Sequence, residues 1–105
     1  MKYEVIVLPR AMQDIEETWH FIAVVQQQPL VAQRWLDGIQ QRISGLASLP
    51  KRGRRIREQE LLDTTEEVRE VLFGNHRVLY TVNGELVQIV HVRRGLRGDV
   101  GPEML

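Results

Sequence analysis

The last third of the chain constrains the fold most. Val68 to Arg97 reads VREVLFGNHRVLYTVNGELVQIVHVRRGLR, three short apolar runs divided by two turn dipeptides. VREVLF ends at Gly74-Asn75, HRVLYTV ends at Asn83-Gly84, and ELVQIVHV runs into Arg93, Arg94 and Arg97. Gly-Asn suits a type II′ turn, with glycine at the first central position. Asn-Gly suits a type I′ turn, because both central residues need positive φ and these two tolerate it best. The runs are rich in Val, Leu, Ile, Phe and Tyr, as strands are. The reading is a three-strand antiparallel meander that carries an arginine cluster to the end of a sheet.

Strict alternation assigns the faces. In the middle run His76, Val78, Tyr80 and Val82 share one side, and Arg77, Leu79 and Thr81 the other. In the last run Leu86, Gln88, Val90, Val92 and Arg94 share one side, and Val87, Ile89, His91 and Arg93 the other. Register is not written in the sequence, so whether His91 or Arg94 joins the face of Arg77 stays open.

Upstream, Tyr3 to Leu8 is a nearly continuous apolar run, which suits a strand covered on much of both faces. Pro9 ends it and fits the first turn of a helix reaching about Gln26. There Ala11, Ile15, Trp19 and Ile22 form one stripe. Pro29 opens a second helix that reaches about Leu49, with the stripe Ala32, Trp35, Leu36, Ile39, Ile43 and Leu46. Two helices joined by so short a link form an antiparallel hairpin, and their Trp-bearing stripes bury against the sheet. Lys51 to Glu67 shows no period and reads as a connecting loop, with Leu61-Leu62 pinned to the core. Residues 98–105, GDVGPEML, read as a loose tail or a partner-docking segment. The class is α+β, β-α-α-β-β-β, with a helical hairpin on one face of a mainly antiparallel sheet.

At 105 residues this is one domain spanning 1–105. The hydrophobic share of 43% and the charged share of 27% are those of a globular chain. The absence of cysteine excludes disulfides and thiolate metal sites. No apolar run approaches the ~20 residues that span a bilayer, and the N-terminus lacks the pattern of a signal peptide. A cytoplasmic protein without membrane contact is expected. Net charge is zero, yet the charges are blocked. Lys51, Arg52, Arg54, Arg55 and Arg57 form a basic run that suits an acidic partner or a solvated loop, and Glu58, Glu60, Asp63, Glu66, Glu67 and Glu70 follow it.

Few chemistries fit. There is no phosphate-binding glycine loop, no HExxH and no nucleophile with a base in reach, so neither cofactor nor metal is expected. Arginines on a sheet face supply bidentate donors to phosphate, and a histidine there can serve as general acid or base. Arg77, His91 and Arg94 are the catalytic candidates on that reading, and Arg93, Arg94 and Arg97 the contact candidates. The competing readings are an ion pair of Arg77 with Glu70 or Glu85, a half-buried sheet position for His91, and a solvated strand end for the three arginines. His20 and His76 read as surface or packing residues, and Trp19 and Trp35 as core.

Three stretches in this order, YEVIVLPRAMQDIEETWHFIA, RWLDGIQQRISGLASLPKRGR and VREVLFGNHRVLYTVNGELVQIVHVRRGLR, resemble the RelE/ParE superfamily of type II toxins, often labelled plasmid stabilisation proteins. The resemblance implies a small toxin encoded beside an antitoxin, whose extended or helical segment wraps and neutralises it. In the RelE-like branch such toxins cleave mRNA on the ribosome; in the ParE-like branch they inhibit DNA gyrase. The chain departs from the nuclease pattern, because Leu72 and Gly101 stand where that branch carries an arginine and a tyrosine. Its HVRRGLR ending looks more like the ParE-like members, so gyrase inhibition is the expected activity. An mRNA endoribonuclease using Arg77, His91 and Arg94, or a non-toxic module that only binds antitoxin, are the alternatives.

Overall fold

The computed structural model describes residues 2–56 and 66–95. Arg57, the acidic run from Glu58 to Asp63 with Leu61-Leu62, Arg97 and the tail 98–105 lie outside the described residues. The chain forms β1 (Glu4–Val7), α1 (Pro9–His20), a π-helical turn (Phe21–Val25), α2 (Pro29–Ser44), a 3₁₀ turn (Gly45–Ala47), β2 (Arg54–Arg55), β3 (Val68–Phe73), β4 (His76–Asn83) and β5 (Leu86–Arg94). No helix among the described residues is long and apolar enough to cross a membrane.

Prolines open both helices in their first turn, where a missing N–H costs nothing. The helical hairpin separates β1 from the meander by a connection long enough for a parallel return. β1 accordingly pairs in parallel with β5, and the remaining pairs are antiparallel in the order β1-β5-β4-β3-β2. The expected α+β arrangement of two helices on a mostly antiparallel sheet is present.

The helix stripes bury except at Trp19, read from sequence as core, which is only half-buried and lines an open groove because no described sheet residue reaches over it. Ala11 and Ile15 of α1 and Trp35, Ile39 and Ile43 of α2 close over Val71, Val78, Tyr80, Val87, Ile89 and Val92 of the sheet. Full burial of one side chain such as Ile39 is worth roughly 1.5–3 kcal/mol. On the opposite face Ile56, Val68 and Leu79 form a smaller cluster with Val90 beside it.

Four local expectations need correction. First, β1 is not covered on both faces: it is an edge strand whose Glu4 and Ile6 are exposed. Second, the stretch read as a loop from Lys51 contains β2, which pairs Arg54 with Glu70 and Arg55 with Arg69. Its two arginines carry no periodic signal, and ion pairs hold it. Third, the turn at Asn83-Gly84 is shifted by one residue. Asn83 still pairs with Leu86, so Gly84 and Glu85 are the central residues, and only Gly84 has positive φ. That is the type II′ pattern, and Gly74-Asn75 shows it too.

Fourth, the alternation along β5 breaks. Leu79 pairs with His91 and Tyr80 with Ile89, which leaves Val90 as an extra residue in a β-bulge. The bulge reverses the phase of everything after it. Val92 and Arg94 therefore join Val87 and Ile89 on the helix side, and Val90, His91 and Arg93 join Leu86 and Gln88 on the other.

Candidate functional site

Arg77 lies on the helix-free face of β4, one residue from the turn end of this central strand, and is fully buried. Its Nε donates to Oε1 of Glu70 at 2.5 Å, and Oε2 of the same carboxylate accepts from Nε of Arg54 at 2.5 Å. Glu70, only 3% exposed, thus bridges β2 and β4. The Arg77–Glu70 ion pair weighed from sequence is present. Beside it the backbone N–H of Gly53 donates to the buried Tyr80 hydroxyl at 2.9 Å. A side chain at position 53 would collide with that oxygen and with the Glu70 carbonyl, so only glycine lets β2 approach so closely. Burial raises the Tyr80 pKa, partly offset by the N–H of Gly53 and by Arg69 and Arg52.

The register separates the three catalytic candidates. Arg77 pairs with Arg93, while Arg94 pairs with His76 on the helix side. His91 pairs with Leu79 and places Nδ1 3.5 Å from Oδ2 of Asp14, too long for a hydrogen bond. Burial and the neighbouring Arg93 hold the His91 pKa below its ordinary value, against the pull of Asp14.

Asp14 organises this end of the molecule. β1 stops at Val7, opposite Ile89, so β5 continues beyond its parallel neighbour. The Asp14 carboxylate takes over there and accepts the Val92 backbone N–H at 3.0 Å. Its other oxygen accepts from Nε of Arg10, one helical turn back, at 3.2 Å. From the other helix, Nε1–H of Trp35 donates to Nδ1 of His76 at 3.2 Å, with the rings edge to face. That bond requires an unprotonated Nδ1, and burial followed by Arg94 lowers the His76 pKa accordingly.

Among the described residues two grooves open between the layers. One, of about 440 Å³, lies between α1 with its π-helical turn and the ends of β4 and β5, where Arg10, Asp14, Phe21, Ile22, Arg93 and Arg94 line it. The other, of about 490 Å³, is strongly apolar and runs between the helices and β1, along Val5, Val7, Met12, Ile15, Trp19 and Leu36. The tip of the helical hairpin adds Phe21, Val24, Val25, Leu30 and Val31, all large, apolar and exposed.

The contact candidates split. Arg93 and Arg94 both line the first groove, at the end of β5, although they pair on opposite faces of the sheet. Of the basic run, Arg54 pairs with Glu70 and Arg55 with Glu67, while Lys51 and Arg52 are exposed and show no ion pair among the described residues. Sequence reasoning did not single out Asp14, the Trp35–His76 bond or the exposed hairpin tip. The first two depend on residues far apart in the chain. The third had a signal, since Phe21 to Ala32 carries no charge at all.

A helical hairpin on one face of this five-stranded sheet, with β1 returned in parallel beside the C-terminal strand, defines the RelE/ParE fold class. The family model described as "ParE toxin of type II toxin-antitoxin system, parDE" matches residues 5–98. The chain belongs to that ParE toxin family. A solved structure described as the chromosomal ParDE TA system from P. aeruginosa is similar in fold, with a TM-score of 0.68 at 15% identity, covering 90% of this chain and 97% of that one. A comparison with curated protein sequences finds no match.

Proposed function

We propose that this chain is a type II toxin that inhibits DNA gyrase, with Arg93, Arg94 and Arg97 in its contact surface, and that a cognate antitoxin segment neutralises it. One observation beyond family membership supports binding over nuclease chemistry: the arrangement of Arg77 and Arg94. A fully buried guanidinium clamped to Glu70 is a structural cation, and it has no path to a phosphodiester. Arg94 is displayed on the other side of the sheet, opposite His76. General acid–base catalysis needs its groups within hydrogen-bond reach of one reacting bond, and these two cannot share one.

The apolar groove along β1 supports the antitoxin half of the proposal. An amphipathic helix laid against Val5, Val7, Trp19 and Leu36 would bury its apolar face there. Exposed Lys51 and Arg52 suit acidic residues flanking such a segment.

The test is induced expression without antitoxin, with pulse labelling of DNA and protein synthesis, followed by a supercoiling assay on purified protein. Early arrest of DNA synthesis and blocked supercoiling are expected. Early arrest of protein synthesis with cleaved message would replace the proposal with the endoribonuclease reading. Unimpaired growth with folded protein would leave an antitoxin-binding module.

A further inference from the structure

The groove between α1 and the ends of β4 and β5 contains both signs of charge, but its acids are already engaged. Asp14 accepts from Arg10 and from the Val92 backbone, and Glu17 accepts from Gln13 at 3.0 Å. Arg10 is engaged by Asp14, but the other two cations are not. Among the described residues neither Arg93 nor Arg94 has a carboxylate within ion-pair distance, although Arg93 is half-buried. A partly desolvated guanidinium with no carboxylate at ion-pair distance is held at a cost that a docked anion relieves. Burial lowers the pKa of Arg93, against the pull of Asp14, and Arg10 and Arg77 act in the same direction as burial.

The remaining wall is mixed, with Thr18, Gln26, Asn75 and His76 polar and an apolar strip on the helix side. Phe21, 44% exposed, and Ile22 line the groove and continue into the charge-free tip of the hairpin. The volume of about 440 Å³ falls within the ~300–1,000 Å³ typical of ligand pockets.

We propose that this groove is a peptide-docking site, in which an Asp or Glu of a partner chain ion-pairs with Arg93 and Arg94 while the adjoining aromatic or aliphatic residue packs on Phe21 and Ile22. The proposal deepens the reading of Arg93 and Arg94 as a contact surface and rests on it. A peptide fits better than nucleic acid. A phosphodiester chain would carry successive anions past Asp14 and Glu17, whereas a single carboxylate needs only the arginine end of the groove. Apolar packing beside a desolvated ion pair is also how protein interfaces concentrate their binding energy.

The test is a titration of the ¹⁵N-labelled full chain with acetyl-Glu-Phe-amide, with acetyl-Gln-Phe-amide and with a short single-stranded oligonucleotide, followed by amide chemical shifts. The Glu peptide is expected to move the amides of Phe21, Ile22, Val92 and Arg94 and to bind at least fivefold more tightly than the Gln peptide. Arg94→Gln, at an exposed position, should erase that difference without altering the fold. Equal titration by both peptides, tighter binding of the oligonucleotide at the same amides, or no shifts would each overturn the proposal. The supercoiling assay is read on the unmodified chain without peptide, so the two proposals fail separately.

Discussion

At the scale of single residues the dominant feature is one carboxylate shared by two arginines. Glu70 is buried with both oxygens used, by Arg77 from β4 and by Arg54 from β2. The two halves are unequal. Arg77 is fully buried, while the Arg54 side chain is 58% exposed. Breaking a buried pair from one side leaves an uncompensated charge and costs about 3–5 kcal/mol, whereas an exposed pair is worth at most about 1 kcal/mol. Glu70→Gln is therefore expected to lower the unfolding free energy by about 3 kcal/mol, and Arg54→Ala by about 1 kcal/mol or less. Urea denaturation of both variants measures this; equal losses would show that Arg77 does not depend on Glu70. Both partners of the Arg77–Glu70 pair were visible in the sequence, because β3 and β4 flank a two-residue turn and fold onto each other. Arg54 was not, since nothing local marks a two-residue strand held by ion pairs.

At the scale of elements the β5 bulge decides which side chains reach which face. Its geometry carries a direct prediction. His91 pairs with Leu79 and Ile89 with Tyr80, so removing Val90 makes the two flanking pairs consecutive and leaves a regular ladder. Deletion of Val90 is expected to preserve the fold and to cost about 1–2 kcal/mol, because the valine no longer packs against Ile56, Val68 and Leu79. Deletion of Gln88 removes the bulge as well, but it puts Ile89 opposite Thr81 on the helix-free face and Val90 opposite Tyr80 in the main core, because a one-residue slip moves the slipped side chains to the other face. That variant is expected to be less stable than the Val90 deletion. Circular dichroism melts rank the two deletions, and equal melting temperatures would argue against a register fixed by the core. The sequence pattern of the last run could not reveal the bulge. Strict alternation from Leu86 to Arg94 is self-consistent on either face, and only pairing with β4 shows where it fails.

At the scale of the whole molecule the two histidines tie stability to pH. His76 and His91 both have pKa values lowered in the folded state, chiefly by burial. The unfolded chain therefore binds more protons below about pH 6.5, the ordinary histidine value, and stability must fall as the pH drops through that point. The loss levels off once the folded-state histidines are also protonated. Protonation of His76 additionally removes the acceptor of the Trp35 indole N–H. The midpoint urea concentration is expected to be lower at pH 5.5 than at pH 7.5, and His76→Gln should remove part of the difference. A midpoint that is flat or rises on acidification would contradict the half-buried, neutral state of these rings.

The sequence by itself determined the order of elements, the helical hairpin and the antiparallel meander. These follow from apolar periodicity, from prolines at helix starts and from turn glycines, all of which act within a few residues. Only the tertiary structure decided that β1 runs parallel to β5 as an exposed edge, that Arg77 is buried on Glu70, that the bulge parts Arg94 from Arg77, and that Asp14 caps the free end of β5. Each of these depends on register or on contacts between distant segments. Register is set by how whole faces bury against one another, so no short stretch of the chain contains it.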